Sequence, residues 1–177
     1  MSLFITFEGG EGCGKSYQSR ALYRWLSKLA VPVILIHEPG GTPLGEKVRR
    51  LLKRGNAEMS SLTELLLFNA SRSQLVTGVI QPSLKKGKVV ICDRFADSTL
   101  AYQGYGRGLD LDVVREVNRM AAQGLTPDLT VLLDVPVEVG LARKNGGIPD
   151  RFEREDIAFH HRVRDGFLKL TAREPVR

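Results

Sequence analysis

Apolar residues along the chain fall into short unbroken runs, separated by longer segments in which they recur every three or four positions. Leu3 to Phe7 is such a run and reads as a buried strand. Leu22, Trp25, Leu26 and Leu29 follow at i, i+3, i+4 and i+7, one face of a helix. Pro32 ends that pattern, and Val33 to Ile36 reads as a second strand. A short helix is expected from about Leu44 to Lys53, with Leu44, Val48, Leu51 and Leu52 on its apolar side. Ser61 with Glu64 three residues on has the form of a capping box. It is expected to open a long helix bearing Leu62, Leu65, Leu66, Val76 and Ile80, which Pro82 should kink or end. Lys88 to Cys92 reads as the third strand. Asp112 is expected to cap a helix with Val113, Val114, Val117, Met120 and Ala121 on one face, stopped by Gly124. Leu129 to Leu133 reads as the fourth strand. Phe159, Val163, Phe167 and Leu170 mark a last helix.

Short apolar runs that alternate with helices predict a parallel sheet covered on both faces. The expected fold is therefore α/β, a three-layer doubly wound parallel sheet, as one domain over 1–177. Ligands of such sheets bind at the carboxyl ends of the strands. A composition of 42% hydrophobic and 26% charged residues fits a globular chain and excludes a disordered one. No apolar run approaches membrane-spanning length, and no basic stretch precedes the first one, so neither a membrane span nor a secretory signal is expected. The two cysteines, Cys13 and Cys92, lack metal-ligand company and fit a reducing, cytoplasmic location. A formal charge of +6 suggests anionic partners. The basic residues are spread out and not interleaved with aromatics, which favours nucleotides over nucleic acid.

The chemistry starts at the end of the first strand. Gly9, four residues, then Gly14, Lys15 and Ser16 match the phosphate-binding loop, with strand before and helix after. Glycines let consecutive N–H groups turn toward a phosphate, and the helix N-terminus faces the same anion. Lys15 supplies a cation for the outer phosphates, and Ser16 a hydroxyl for Mg²⁺. Asp93 and Arg94 end the third strand, where a carboxylate can orient the metal ion or its water. Glu8 and Glu38 fall at the same edge. Phe68 and Arg72, four apart, share a helix face and can form a stacking surface with a cation beside it. Gln103 carries donor and acceptor on one amide and can read the edge of a base. Arg49, Arg72 and Arg94 are candidates to anchor an acceptor's anion. From Gly140 to Glu153, glycines and a proline lie among Arg143, Lys144 and Arg151, the make-up of a mobile basic flap at about 142–154.

Four stretches carry a resemblance: Phe7 to Ser16, Glu38-Pro-Gly-Gly-Thr-Pro-Leu-Gly-Glu46, Asp93-Arg-Phe-Ala-Asp-Ser-Thr-Leu-Ala-Tyr-Gln-Gly104 and Asp150-Arg-Phe-Glu153. Together they resemble the bacterial thymidylate kinases, nucleoside monophosphate kinases with P-loop NTPase architecture. The resemblance implies Mg²⁺-dependent phosphoryl transfer from ATP to dTMP, giving dTDP and ADP on the way to dTTP. Gly9, Gly10, Glu11, Gly12, Cys13, Gly14, Lys15, Ser16, Tyr17 and Arg143 would bind ATP. Phe68 would stack on thymine, Arg72 would bond a thymine carbonyl, and Thr99, Tyr102 and Gln103 would line the base pocket. Glu8, Glu38 and Pro39 would also face the acceptor, while Arg49 and Arg94 would hold its phosphate. Ser16, Asp93 and Glu8 would serve Mg²⁺, partly through water. Lys15, Asp93, Arg94 and Arg151 would be catalytic, since in the bacterial subtype the flap supplies the catalytic arginine. A homodimer and a cis Glu38–Pro39 bond are further implications. The chain departs from the family at His37, where arginine is common, and at Asn145-Gly146-Gly147, where the flap is short. The family adds a final strand and helix, so the chain ending at Arg177 is expected to be truncated.

Other readings stay open on the sequence alone. A GTPase-like switch needs a guanine-reading Asn-Lys-x-Asp element, which is not found. A deoxynucleoside kinase would act on a 5′-hydroxyl and need a carboxylate base, for which Glu8 or Glu38 could be proposed. A non-catalytic nucleotide-binding protein is the third reading.

Overall fold

The computed structural model describes residues 2–54, 58–144 and 149–175. Its sheet has four parallel strands in the order β2-β3-β1-β4. They are β1 (Leu3–Glu8), β2 (Val33–His37), β3 (Val89–Asp93) and β4 (Leu129–Leu132). The period of two along each strand sends alternate side chains to opposite faces. Ile5, Phe7, Val89 and Ile91 pack under α1 (Lys15–Lys28), against Leu22, Tyr23 and Leu26. Phe4, Ile36, Val90 and Cys92 pack on the other face, against Leu75, Val76, Ile80 and Phe95. Both faces are covered, as the apolar runs imply.

Register decides where chemistry can collect. Phe7 and His37 both pair with Asp93, so β1, β2 and β3 finish at one level. The ladder continues one step beyond, with Glu38 N–H donating to the Asp93 carbonyl and Arg94 N–H to that of Phe7, each at 3.0 Å. Glu8, Glu38 and Arg94 therefore leave the sheet together.

The helices on the acceptor side are α2 (Pro43–Arg54) and α3 (Ser61–Leu75). The chain continues from α3 through a π-helical stretch, Val76–Ile80, into α4 (Gln81–Lys85). Of the two outcomes expected at Pro82, an end does not occur there: the rod runs on to Lys85. Pro82 falls in the first turn of α4, directly after the π turns, where its missing N–H is tolerated. The N-cap of α3 is Ser60, whose hydroxyl accepts from Thr63 N–H at 3.1 Å, and not Ser61. Glu64 turns inward instead of capping, because arginines reach its carboxylate there. Asp110, not Asp112, caps α6 (Leu111–Ala121), accepting from the Asp112 and Val113 N–H groups.

Phe95 to Gly108, which carries no periodic signal, is largely helical. It forms α5 (Ala96–Thr99) and a second π-helical stretch, Leu100–Gly106. Packed on it is α8 (Ile157–Arg173), whose Phe159, Val163, Phe167 and Leu170 are all buried as expected. Several predicted faces are only half covered. Trp25 is 59% exposed and Met120 66%, and Leu29, Leu44, Leu51, Leu62, Leu66 and Val113 are exposed as well. Periodicity marks an apolar stripe without saying how much of it is met by a partner.

A six-residue helix, α7 (Val137–Ala142), was hidden in the glycine-rich flap sequence. It lies directly on the glycine loop after β1. A Cβ on Gly12 would collide with the Gly140 carbonyl oxygen, and one on Gly140 with that of Glu11. Only glycines allow this backbone contact. Gly140→Ala is therefore expected to cost about 1–3 kcal/mol through overpacking. That is roughly a few degrees of Tm for a chain of this size, readable by scanning calorimetry. Unchanged stability would mean the loop and α7 do not touch.

Candidate active site

The loop is built for an anion. Gly14, at φ 98°, starts α1, which has no side-chain cap and no acidic residue in its first turn. The N–H groups at that helix end and its partial positive charge are thus left to face a phosphate. Lys15 is buried, and its Nζ donates to the Gly9 carbonyl at 2.9 Å, the Gly10 carbonyl at 2.6 Å and Cys13 Sγ at 3.3 Å. Burial, with Arg94 nearby, lowers the pKa of this ammonium. Ser16 Oγ donates to Asp93 Oδ2, joining the hydroxyl of the loop to the carboxylate of β3. Arg143, from the end of α7, donates to the Gly12 carbonyl at 3.4 Å. Tyr17 stands at the rim, largely exposed.

Arg94 is held in an uncommon conformation, φ 75°, which costs a non-glycine residue about 1–3 kcal/mol unless its surroundings enforce it. They do. Its guanidinium donates to the Gly9 carbonyl (3.0 Å), Ser98 Oγ (3.0 Å), Glu11 Oε1 (2.8 Å) and the Tyr102 hydroxyl (3.1 Å). Tyr102 in turn donates to Glu11 at 2.7 Å. Burial pushes the Glu11 carboxyl up, but Arg94 and Lys15 outweigh it and hold the group down at about 2. Glu8 is different. Burial and the nearby Asp97 carboxylate raise it to about 7, although its oxygens accept from Phe95 N–H (2.7 Å) and Ser98 Oγ (2.5 Å).

The far end of the cleft rests on Arg72, which is 1% exposed. Its Nε and Nη2 both donate to Glu38 Oε2, at 2.9 and 2.7 Å. Nη1 donates to Asn69 and Asn118, and Nη2 also to the Phe95 carbonyl and Thr99 Oγ1. Burial raises the Glu38 carboxyl, and Arg72 works against the rise. Arg49 Nη1 donates to the Pro39 carbonyl at 2.8 Å, beyond the Glu38–Pro39 bond, which is cis.

One cleft of about 700 Å³ joins these groups. Glu11, Gly12, Gly14, Lys15, Ser16, Tyr17 and Arg143 line one end, and Asp93 and Arg94 the middle. Glu38, Pro39, Arg49, Phe68, Arg72, Thr99 and Gln103 line the other, and Tyr102 reaches from there to Arg94 and Glu11. Gly9, Gly10, Cys13 and Glu8 stand behind this lining. Arg151 lies apart: its guanidinium pairs with Glu64 and sits 5.1 Å from the Phe152 ring. The flap residues 145–148 lie outside the described residues.

Other residues are not singled out as site residues by the sequence, though Lys144 is one of the flap's cations. Ser98, Phe152, Lys53, Lys144 and Asp150 also line the cleft. Phe152 packs near Phe68, with ring centroids 5.8 Å apart, and Lys53 pairs with Asp150 at 2.8 Å. Asn118 and Glu64 act from behind, on Arg72 and Gln103. Ser98, Asp150 and Phe152 fall in the motif stretches and Lys144 among the flap cations, whereas nothing in the sequence marks Lys53 or Asn118 for the site.

A parallel sheet with a phosphate-binding loop at one end of a cleft, and an arginine-lined acceptor pocket at the other, defines a P-loop enzyme of the nucleotide-kinase class. Comparison with known proteins narrows this. The thymidylate kinase family model matches residues 7–177. The chain is 62% identical to a thymidylate kinase of Dehalococcoides mccartyi strain CBDB1 over 178 residues, covering 100% of this chain and 86% of the relative. It is 50% identical to one from Geobacter sulfurreducens, covering 100% and 87%. The crystal structure of thymidylate kinase from Ehrlichia chaffeensis superposes with a TM-score of 0.84 at 42% identity, over 99% of this chain and 90% of that one. The chain belongs to the thymidylate kinase family.

Glu8 yields a pH prediction. Its folded pKa of about 7 lies above the ordinary 4.5, so folding favours the protonated form. Its contribution is therefore full below pH 4.5 and is lost as pH rises through 7. Glu8→Gln, which carries no titratable proton, is expected to gain on the parent by on the order of 3 kcal/mol between pH 4.5 and 8. Urea unfolding of both proteins at the two pH values measures this, and a pH-independent difference would contradict the shift.

Proposed function

We propose that this chain transfers the γ-phosphoryl group of ATP to dTMP, producing dTDP and ADP for dTTP synthesis. The observation that carries the reading is the two-ended cleft: phosphate loop and Lys15 at one end, Phe68, Arg72 and Gln103 at the other, Arg94 between. The acceptor is a phosphate monoester, mostly a dianion at neutral pH, so it needs no general base. Alignment and charge neutralisation then carry most of the catalysis.

The residues divide this work. Backbone N–H groups of the loop and Lys15 hold the donor phosphates, with Arg143 and Tyr17 at the rim. Arg94, fixed on the loop by Gly9 and Glu11, and Arg49, beside Pro39, hold the acceptor phosphate. Phe68 offers its ring to the thymine, and Arg72, Thr99, Tyr102 and Gln103 frame its edge. Glu38 and Glu8 keep Arg72 and the Phe95–Ser98 turn in place. Arg151 stands on Glu64, behind Gln103 and outside the cleft lining.

Ser16 and Asp93 present hydroxyl and carboxylate oxygens side by side, a donor set that suits Mg²⁺. That ion typically keeps several waters and is held by one or two carboxylates plus substrate phosphates, so Ser16 and Asp93 would hold it and Glu8 could reach it only through water. Bound there, it would neutralise charge on the transferring group.

The rival reading, transfer to a nucleoside 5′-hydroxyl, needs a free carboxylate at the cleft. Glu8 has both oxygens taken, and Glu38 faces Arg72 with Oε2 while Oε1 is buried. ADP release with ATP and Mg²⁺ is expected with dTMP and not with thymidine. Lys15→Ala is expected to abolish it, by about 10³-fold or more, with the fold intact. Turnover of thymidine alone would replace the reading.

A cytoplasmic location and a homodimer complete the proposal. Among the described residues no helix is long and apolar enough to cross a membrane. The adjacent helices α3 and α6 expose Leu62, Leu66, Val113 and Met120, apolar surface that a second copy of the chain would cover. Sedimentation is expected to give twice the chain mass, and Leu66→Glu to shift it toward one. A monomeric parent at micromolar concentration would refute the dimer.

A further inference from the structure

Gln103 reaches the base end of the cleft and is 1% exposed. An amide side chain can present either its oxygen or its nitrogen, and the two ends ask for opposite partners. Here the choice is forced from behind. Gln103 Nε2 donates to Glu64 Oε1 at 2.7 Å. An ionised carboxylate only accepts hydrogen bonds, so it can be faced by the NH₂ end of the amide and not by the oxygen. Glu64 is itself 1% exposed and is not part of the cleft lining. It is held in turn by Arg107, whose Nε and Nη2 donate to its two oxygens at 3.2 Å each, and by Arg151. Two guanidinium groups, which can only donate, face this one carboxylate, so both its oxygens accept and it is held in place.

We propose that Glu64 is a positioning residue for base selectivity, which fixes the Gln103 amide with Nε2 away from the cleft and Oε1 free to accept. An accepting oxygen at the base edge selects a pyrimidine that carries a ring N–H, as thymine and uracil do at N3. It rejects cytosine, whose N3 is a lone pair. Were the amide free to rotate, it would serve either base and discriminate neither. This rests on the thymidylate reading of the pocket and adds to it the origin of one part of its selectivity.

The physics also sets the size of the effect. A site built to hydrogen-bond a substrate N–H penalises an analogue without it, because its own buried polar group is left unpaired. A lost neutral pairing of this kind is worth roughly ten- to a hundred-fold in kcat/KM.

The test compares kcat/KM for dTMP, N3-methyl-dTMP and dCMP in the parent, Glu64→Gln and Gln103→Leu proteins. The parent is expected to prefer dTMP over either analogue by at least tenfold. Glu64→Gln keeps the shape but offers Gln103 an NH₂ group as well as an oxygen, so the amide can turn over. Its dTMP-to-dCMP preference is expected to fall by roughly tenfold. Gln103→Leu should lose the same preference, and adding Glu64→Gln to it should lose no more. Equal losses for all three substrates in Glu64→Gln, with the ratios intact, would make Glu64 merely structural and overturn the proposal. If Glu64→Gln does not fold, the parent still decides: equal use of dTMP and N3-methyl-dTMP would overturn it. Failure of the parent on every thymidylate, with turnover of another acceptor, would instead refute the reading of the pocket.

Discussion

The base end of the cleft depends on one buried cation. Arg72 leaves α3, crosses under one end of the cleft and donates to groups from three other parts of the chain: Glu38 after β2, Asn118 on α6, and the Phe95 carbonyl and Thr99 around α5. A guanidinium so far from water is tolerable only if every donor is met and a counter-charge is near. Those conditions fix the distance between the sheet edge and the helices above it. The wall that would face a base is therefore as rigid as the core. Removing Glu38 would leave the buried guanidinium without its counter-charge, a loss that typically costs about 3–5 kcal/mol.

Arg94 plays a similar part nearer the phosphates, with a different purpose. Its partners, Gly9, Glu11, Ser98 and Tyr102, draw the glycine loop toward α5 and the π-helical stretch. The two arginines divide the cleft between them. One locks the wall, and the other links loop to wall.

Much of this was legible in the residues. The strands emerge from apolar runs, because a strand covered on both faces has no polar side to blur it. The phosphate loop, Asp93 and Arg94 were legible because backbone chemistry and strand ends leave few options. The helix faces were read too generously. Spacing placed Trp25 and Met120 on apolar stripes, but nothing local says whether another element lies opposite. Phe95 to Gly108 was missed because its turns are π-helical, and its side chains obey no period of 3.6. Glu64 was mistaken for a cap because a local pattern cannot announce arginines more than forty residues away, at Arg107 and Arg151.

That second π-helical stretch has a consequence for how such a cleft can change. Tyr102 and Gln103 both point inward from it, onto Glu11 and Glu64. A π turn holds one more residue than the α turn it resembles. Deleting a single residue there would let the segment relax to ordinary α geometry. Side chains beyond the segment would keep their directions, while those inside it, Tyr102 and Gln103 among them, would be re-aimed. The cleft would lose its tyrosine and its amide at one stroke, while the helix itself became more regular. In this segment the number of residues constrains the cleft more tightly than their identity does.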